Sequence, residues 1–132
     1  MKKFCTLGVL LSLFCCSFAQ TFIGTMKVDN YTRENVVAKL STKGSVGTIE
    51  LFDVKFSRFM PVTVDAVIPQ IKVTKNGNKT LLTGNNIIPT VKNKGYEKYK
   101  VTNFSGTIVS NNINITTMMG NKKVIYSGKL KQ

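Results

Sequence analysis

The sequence contains no histidine and no tryptophan, and its three cysteines all lie within the first sixteen residues, at Cys5, Cys15 and Cys16. The rest of the chain therefore has no imidazole and no thiol. A serine–histidine triad, a cysteine nucleophile, a zinc site built from cysteine and histidine, and a disulfide framework are excluded there. These absences exclude more chemistry than any motif in the sequence suggests.

The first nineteen residues have the three-part layout of a secretory signal peptide. A pair of lysines precedes an apolar run over residues 4–16, and small residues stand three and one positions before Gln20. The run is shorter than the roughly 20 apolar residues of a membrane-spanning helix. We expect residues 1–19 to be removed and residues 20–132 to be exported, as one domain, to the periplasm or the extracellular space.

Lipid attachment is the alternative fate of this segment, because a lipid on Cys15 or Cys16 would anchor the protein to a membrane. Such an attachment calls for a leucine and then two small residues directly before the cysteine. Phe14 is bulky and lies within the three residues before each of these cysteines. The sequence therefore favours a protein that leaves the membrane entirely.

Residues 20–132 have the composition of a β protein. Valine, isoleucine and threonine make up about a third of them, whereas alanine occurs only at Ala38 and Ala66. β-Branched side chains lose rotamer freedom in helices and pack well on the pleated surface of a sheet. Without disulfides, such a small exported domain depends on apolar burial and on a sheet with few open edges, which a closed barrel provides.

Turn residues divide the domain into short strands in which apolar and polar residues alternate. Pairs such as Asn76-Gly77 tolerate the positive φ of tight hairpins. Pro69 and Pro89 mark interruptions, because proline cannot donate to a ladder. The segment 56–61 ends in proline and is expected to form a bend or lid. Approximate strands cover residues 22–29, 34–42, 46–56, 62–74, 79–91, 97–109, 112–118 and 122–130.

The number of predicted strands indicates how the sheet is arranged. About eight strands joined by short turns predict an all-β fold, a single antiparallel, roughly eight-stranded closed β-barrel. A β-sandwich of two packed sheets is the alternative. No internal repeat, linker or low-complexity tract divides the sequence, so one domain is expected.

Four stretches of the domain carry a resemblance to a known family. They are FIGTMKV at 22–28, GTIELFDVKFSRFMPVTVDAVIPQIKV at 47–73, FSGTI at 104–108 and YSGKL at 126–130. On these stretches the chain resembles the calycin-like β-barrel proteins, a lipocalin-related group exported by gut-associated Gram-negative bacteria. The resemblance implies a barrel whose last strand pairs with its first and whose open end can hold an apolar ligand, and it implies no catalytic residues. The glycine–any–tryptophan signature of true lipocalins is missing, since the chain has no tryptophan.

Positive charge dominates residues 20–132, which contain seventeen basic residues and six acidic ones. Fifteen of the bases are lysine, which is a solvated point charge, unlike the forked guanidinium of arginine. This bias favours solubility and protection of strand edges, and attraction toward an anionic surface is the alternative. Nucleic acid is not an expected partner, because the sequence has no recognisable motif for binding it.

Carboxylates are the remaining option for acid–base chemistry. Glu50 and Asp53 are three residues apart, a spacing that predicts opposite faces of a strand. We expect these carboxylates to be solvated surface groups. No catalytic residue, metal site or cofactor is predicted, and the domain is expected not to be an enzyme.

Two groups of residues are candidates for binding. Flexible apolar side chains near predicted loops could line an adaptable pocket, and core or end-plug positions are the alternative. The basic and aromatic segment 92–100 could contact anionic glycans or lipid headgroups, and a lysine-guarded strand start is the alternative. The pocket candidates are Phe56, Phe59, Met60, Tyr99, Met118 and Met119, and the candidates for the anionic-surface patch are Lys92, Lys94, Lys98 and Lys100.

Two functional hypotheses follow from the sequence. The first is a non-enzymatic exported barrel that binds a small apolar or amphipathic ligand. The second is an interaction module with a filled core, whose basic surface docks on anionic cell-envelope components or on a partner protein. An open apolar cavity would favour the first hypothesis, and a packed interior would favour the second. The sequence indicates no oligomeric state.

Overall fold

A computed structural model describes residues 17–55 and 60–131. The only helix in these residues is the 3-10 turn η1 (Glu97–Tyr99), which is far too short to cross a membrane. The strands are β1 (Ser17–Val28), β2 (Tyr31–Lys43), β3 (Val46–Val54), β4 (Val64–Asn76), β5 (Lys79–Gly84), β6 (Thr90–Val91), β7 (Lys94–Gly95), β8 (Val101–Val109), β9 (Asn112–Met119) and β10 (Lys122–Leu130). The all-β class expected from the composition is confirmed.

Eight of these strands form one closed antiparallel ring. The order around the ring is β1, β2, β3, β4, β5, β8, β9 and β10, and β10 closes the ring by pairing with β1. Phe22 of β1 lies opposite Leu130 of β10, so the first and last strands pair as expected. β6 and β7 lie outside the ring, where Thr90 of β6 pairs with Val67 of β4. The predicted closed barrel is confirmed, and the sandwich is not observed.

The two ends of the barrel differ in their connections. One end, called the loop end below, carries the turn at 29–30, residue 55, residues 60–63, residues 85–100 and the turn at 120–121. The opposite end, called the hairpin end, carries the start of β1 and the turns at 44–45, 77–78 and 110–111. Each of these hairpin-end turns has two residues, so the long connections all lie at the loop end.

Alternating side chains fill the barrel interior. In β2, Val36, Ala38 and Leu40 are buried while Lys39 is exposed, as the period of two in a strand requires. No buried polar side-chain atom in the described residues lacks a hydrogen-bond partner. The largest fully buried side chains include Tyr126, Phe22, Met26, Ile49, Ile68, Ile71, Leu82, Ile113 and Met119. The interior is packed with side chains, as small eight-stranded barrels can be.

Four bulges bend the described strands. At each of them a non-glycine residue has a positive φ beside a register shift, and these residues are Asn35, Asp53, Gln70 and Asn103. A bulge adds one residue to one strand and increases the local twist, which helps a sheet to close on itself. Gln70 follows Pro69, so the interruption predicted at this proline takes the form of a bulge within β4.

A buried tyrosine connects the two strands that flank β1. The hydroxyl of Tyr126 in β10 donates to the carbonyl oxygen of Val36 in β2 at 2.8 Å. Between them, Gly24 of β1 lies opposite Gly128 of β10. A Cβ on Gly128 would lie 2.9 Å from the tyrosine oxygen, so Gly128 makes room for the tyrosine. A Cβ on Gly24 would overlap the Ser127 carbonyl oxygen, so Gly24 allows the close approach of β1 and β10. Burial raises the pKa of the Tyr126 hydroxyl above its ordinary value.

The connection between β5 and β8 is longer than the sequence predicted. The strand expected over 79–91 ends at Gly84, and the strand expected over 97–109 begins at Val101. Residues 85–100 therefore form a separate excursion that contains β6, β7 and η1. The alternation of apolar and polar residues did not predict this excursion, because its apolar residues pack at the end of the barrel instead of alternating along a long strand.

The start of β1 overlaps the predicted leader. β1 begins at Ser17, and residues 17–19 pair with residues 41–43 of β2. Removal of residues 1–19 would shorten β1 by three residues and would retain Phe22, which is fully buried. The three cysteines lie outside the described residues.

Candidate ligand site at the loop end

An apolar cavity of about 140 Å³ lies at the loop end of the barrel. Its walls come from the inner face of β4, from the excursion at 85–100 and from the connection between β3 and β4. The residues that line it are Met60, Val64, Ala66, Pro89, Val91, Tyr96 and Tyr99. Apart from the tyrosine hydroxyls, these side chains are apolar, so the cavity suits an apolar group.

The cavity exists because β5 pairs with only part of β4. β5 ends at Gly84, and the excursion covers the remaining part of β4 through the pairing of Thr90 with Val67. Ile87 and Val101 then exchange two backbone hydrogen bonds, of 3.0 and 2.7 Å, where the chain turns into β8. The excursion thus closes the side of the barrel more loosely than a full strand would, and the cavity lies beneath it.

Backbone hydrogen bonds hold the two tyrosines in place. The Tyr96 N–H donates to the Pro89 carbonyl oxygen at 3.0 Å, and the Tyr99 N–H donates to the Tyr96 carbonyl oxygen at 3.1 Å. Lysine Nζ atoms lie near both rings, Lys94 at 5.9 Å from the centroid of Tyr96 and Lys98 at 5.8 Å from that of Tyr99. These are cation–π distances. Each ring therefore contacts the cavity and a cation.

A groove of about 670 Å³, lined by both charged and apolar side chains, adjoins the cavity. The two spaces share Val64, Val91 and Tyr96 as walls. The other residues that line the groove are Glu50, Asp53, Val62, Thr63, Asp65, Val67, Lys92 and Asn93. An apolar cavity that opens beside a charged groove has the arrangement needed for an amphipathic molecule.

Hydrogen bonds assign a structural role to two of the groove carboxylates. The Asp53 backbone N–H donates to the Asp65 carboxylate at 2.8 Å, and the Thr63 hydroxyl donates to the Asp53 carboxylate. Arg33 donates from Nε to the Asp53 carbonyl oxygen at 2.8 Å, and its Nη2 lies 3.9 Å from the Asp53 carboxylate. These contacts hold the bulge at Asp53.

The bulge also corrects one expectation from the sequence. Glu50 and Asp53 were predicted on opposite faces of a strand, but both side chains line the groove. The prediction was wrong because the extra residue of the bulge changes the alternation of β3. Within the part of the chain that the structure describes, no three acidic side chains are grouped to hold a metal ion.

The structure brings together two of the predicted pocket residues, Met60 and Tyr99, which both line the cavity. Met119 is buried in the barrel core, and Met118 is half-buried in β9, and neither lines the cavity. Phe56 and Phe59 lie outside the described residues.

Sequence reasoning missed five of the lining residues. Val64 and Ala66 differ by two positions on one face of β4, which is a usable signal for a shared wall. The others depend on the excursion, whose path the periodicity did not predict. They are Pro89, Val91 and Tyr96.

The predicted anionic-surface patch lies on the same excursion. Lys92, Lys94 and Lys98 are exposed, and Lys100 is half-buried. Glu97 is exposed among them, and Lys92 also lines the groove. These lysines therefore flank the cavity and do not form a surface of purely positive charge.

Comparison with protein-family models, with curated proteins and with solved structures finds no match to this chain. The fold defines a closed eight-stranded antiparallel barrel, and the candidate site rests on its own geometry.

Proposed function

We propose that the protein is a non-enzymatic, exported β-barrel that binds a small apolar group, or the apolar part of an amphipathic ligand, in the loop-end cavity. The observation that carries this proposal is an apolar cavity of about 140 Å³ at the loop end of a barrel whose core is packed with side chains. An engineered apolar cavity of about 150 Å³ in another protein stays dry and binds benzene. A single ring or a short alkyl segment is therefore the part of a ligand that fits.

The packed interior determines how such a ligand would lie. Ala66, at the inner end of the cavity, is fully buried, and the core beyond it is filled, so the ligand does not run down the barrel axis. A polar part would extend into the adjoining groove, past Val64, Val91 and Tyr96. The resemblance to calycin-like barrels, whose open end can hold an apolar ligand, supports the same proposal.

A series of straight-chain alcohols tests the cavity directly, because the chain length reports its capacity. Each added methylene should strengthen binding about fourfold, which corresponds to about 0.8 kcal/mol, until the cavity is full. Beyond that length the affinity should stop rising. A titration monitored by NMR chemical shifts would measure the gain in affinity per methylene and the chain length at which the gain stops. The largest shifts are expected at Ala66 and Val91. Binding with no dependence on chain length, or shifts elsewhere, would contradict the proposal.

Filling the cavity provides a matched pair of variants. Ala66→Ile adds volume inside the cavity, whereas Ala38→Ile adds the same volume to the buried face of β2, away from it. Both changes overpack the core and should destabilise the protein by about 1–3 kcal/mol. Only Ala66→Ile should weaken alcohol binding, by tenfold or more. Val91→Phe, which enters the cavity from the half-buried excursion, should weaken binding as well.

The natural ligand can be sought with protein from its own host. Native mass spectrometry and organic extraction should release an apolar or amphipathic molecule from the wild-type protein and much less from Ala66→Ile. A protein that is empty in every preparation and binds no alcohol would refute this function.

A basic interaction module is the second candidate function, and a specific observation favours it. The interior is packed with side chains. The fifteen lysines of residues 20–132 occur at both ends of the barrel, whereas five of the six acidic residues lie at the loop end. In this function the basic surface docks on an anionic component of the cell envelope. Association that weakens as salt rises is the expected result, since exposed charges are screened beyond about 8 Å at physiological ionic strength.

A further inference from the structure

The acidic residues are concentrated toward one end of the barrel, whereas basic residues lie at both ends. Six exposed lysines lie at the hairpin end, and no acidic side chain of the described residues lies there. Five acidic residues lie at the loop end, and the sixth, Glu50, lies midway along β3 opposite Lys39. The lysines of the hairpin end are Lys43, Lys72, Lys75, Lys79, Lys129 and Lys131. The acidic residues of the loop end are Asp29, Glu34, Asp53, Asp65 and Glu97.

Strand register gathers these lysines from distant parts of the chain. Val46, at the start of β3, lies opposite Lys43 on one side and Lys72 on the other. Lys79 starts β5 opposite Val109, where β8 ends. Lys75 lies near the end of β4, Lys129 lies near the end of β10, and Lys131 follows that strand. The six therefore surround the rim of the barrel.

Two exposed valines lie among the lysines. Val46 is 52% exposed and Val109 is 43% exposed, and each pairs directly with a lysine. Lysine stems are apolar and their charged ends can reach outward to a polar layer. A rim of lysines with interspersed valines therefore matches the headgroup region of a bilayer, where phosphates lie above apolar chains.

The centre of the rim is a polar pocket of about 160 Å³. It is lined by Gln20, Leu40, Thr42, Val73, Lys75, Asn78, Thr80, Ile108 and Ser110. The hydroxyl and amide groups of this set can donate hydrogen bonds to phosphate oxygens. The middle of the hairpin end is thus polar and positively charged, as the rim is.

The path of the chain leads to the same end. β1 begins at Ser17 beside Lys43 of the rim, and in the sequence the apolar run over residues 4–16 directly precedes it. While residues 1–19 are still attached, this run would bring the hairpin end toward the bilayer. After their removal, the lysine rim is the surface that remains to contact the headgroups.

We propose that the hairpin end docks on an anionic lipid bilayer and that its six lysines contact the phosphate headgroups. This inference deepens the second candidate function by assigning its surface and its partner, and it is independent of the cavity. Each lysine near an anionic surface contributes about a fivefold factor to binding. Loss of four of the six should therefore weaken binding by a hundredfold or more.

Vesicle binding by protein purified from cells that express the whole chain tests this surface. Vesicles of phosphatidylcholine with phosphatidylglycerol are compared with vesicles of phosphatidylcholine alone, at low and at physiological salt. Wild-type protein should bind the anionic vesicles, more weakly at higher salt, and should not bind the neutral ones. The hairpin-end variant carries Lys43→Gln, Lys72→Gln, Lys79→Gln and Lys129→Gln, and should lose a hundredfold or more in affinity.

A loop-end variant with the same loss of charge is the matched control. It carries Lys27→Gln, Lys92→Gln, Lys94→Gln and Lys123→Gln, all at exposed positions, and should lose less than tenfold. Replacement of the four hairpin-end lysines by arginine should retain binding and shows that the positions tolerate substitution. Equal losses in the two glutamine variants would overturn the assigned surface while leaving a basic module in place.

Two further results would refute the proposal. Failure of the wild-type protein to bind anionic vesicles at any salt would overturn both the surface and the second candidate function. Stronger competition by inorganic phosphate than by chloride at equal ionic strength would indicate a site for free phosphate instead of a membrane. Alcohol binding should be unchanged in the hairpin-end variant. The test of membrane docking is therefore independent of the test of ligand binding in the loop-end cavity.

Discussion

The loop end and the hairpin end are the two ends of the same strands, but they are built in different ways. The loop end has long connections, mixed charges, carboxylates engaged in hydrogen bonds and an apolar cavity. The hairpin end has two-residue turns, six exposed lysines and a polar centre. Between them the interior is packed with side chains. The packed core separates the two surfaces, so substitutions at one end should have little effect on the other end.

A pair of turn glycines gives the largest expected difference between the ends. Gly120 at the loop end and Gly77 at the hairpin end both have positive φ, 65° and 64°. A Cβ on Gly120 would overlap the Lys98 carbonyl oxygen, whereas one on Gly77 would meet open space. Gly120→Ala should cost about 3 kcal/mol and Gly77→Ala about 1 kcal/mol. Urea denaturation of both variants measures the difference, and equal costs would show that the loop end is no more constrained.

The packed middle of the barrel is tested by Tyr126→Phe. The change leaves the buried Val36 carbonyl oxygen without its donor and should cost about 1–3 kcal/mol. It should leave both alcohol binding and vesicle binding unchanged, because Tyr126 lines neither site. A large change in either affinity would show that the two ends communicate through the core.

The same tyrosine predicts a pH dependence of stability. Its pKa in the folded protein lies above the ordinary value of about 10, so ionisation is easier in the unfolded chain. The stability that comes from the neutral hydroxyl is present below about pH 10 and is lost as the pH rises above it. The free energy of unfolding of the wild type should therefore fall toward that of Tyr126→Phe above pH 10. If the free energy of unfolding of the two proteins varied with pH in parallel, the stabilising role assigned to the neutral Tyr126 hydroxyl would be contradicted.

The smallest expected effect concerns the loop-end carboxylates. Asp65→Ala removes the acceptor for the Asp53 N–H and should cost less than about 1 kcal/mol, since the pair is exposed. Amide hydrogen exchange should become faster at Asp53. At the hairpin end, exchange should be unchanged at Val73, whose N–H donates to the Ser45 carbonyl oxygen. Asp65→Asn keeps an oxygen acceptor and is the matched control.

The sequence was sufficient to predict the class and the closure of the fold. Alternation in segments such as β2 and β9 specifies which side chains are buried, and a burial pattern that repeats along the chain requires a sheet with one inner face. The bulges were not predictable in the same way. Asn35 and Asp53 tolerate positive φ, but so do the other asparagines and aspartates, and only pairing across strands determines which of them adopts it.

The candidate site was predictable only in part, for a similar reason. Met60 and Tyr99 were identified by their residue types, because flexible and aromatic side chains suit an apolar pocket. The contribution of Ala66 depends on the excursion that crosses above it. Likewise, Lys43 and Lys72 are far apart in sequence, and the register of β3 between them brings them to one rim.

The pairing of β1 with β10 determines the order in which this chain can fold. One edge of β1 pairs with β2, which follows it after a short turn. The other edge pairs with β10, which lies near the opposite end of the sequence. The ring therefore cannot close during synthesis until Lys122–Leu130 has emerged. Until then β1 and β9 both present unpaired edges, which are the strand edges most prone to aggregate. Loss of the last nine strand residues would make that transient condition permanent.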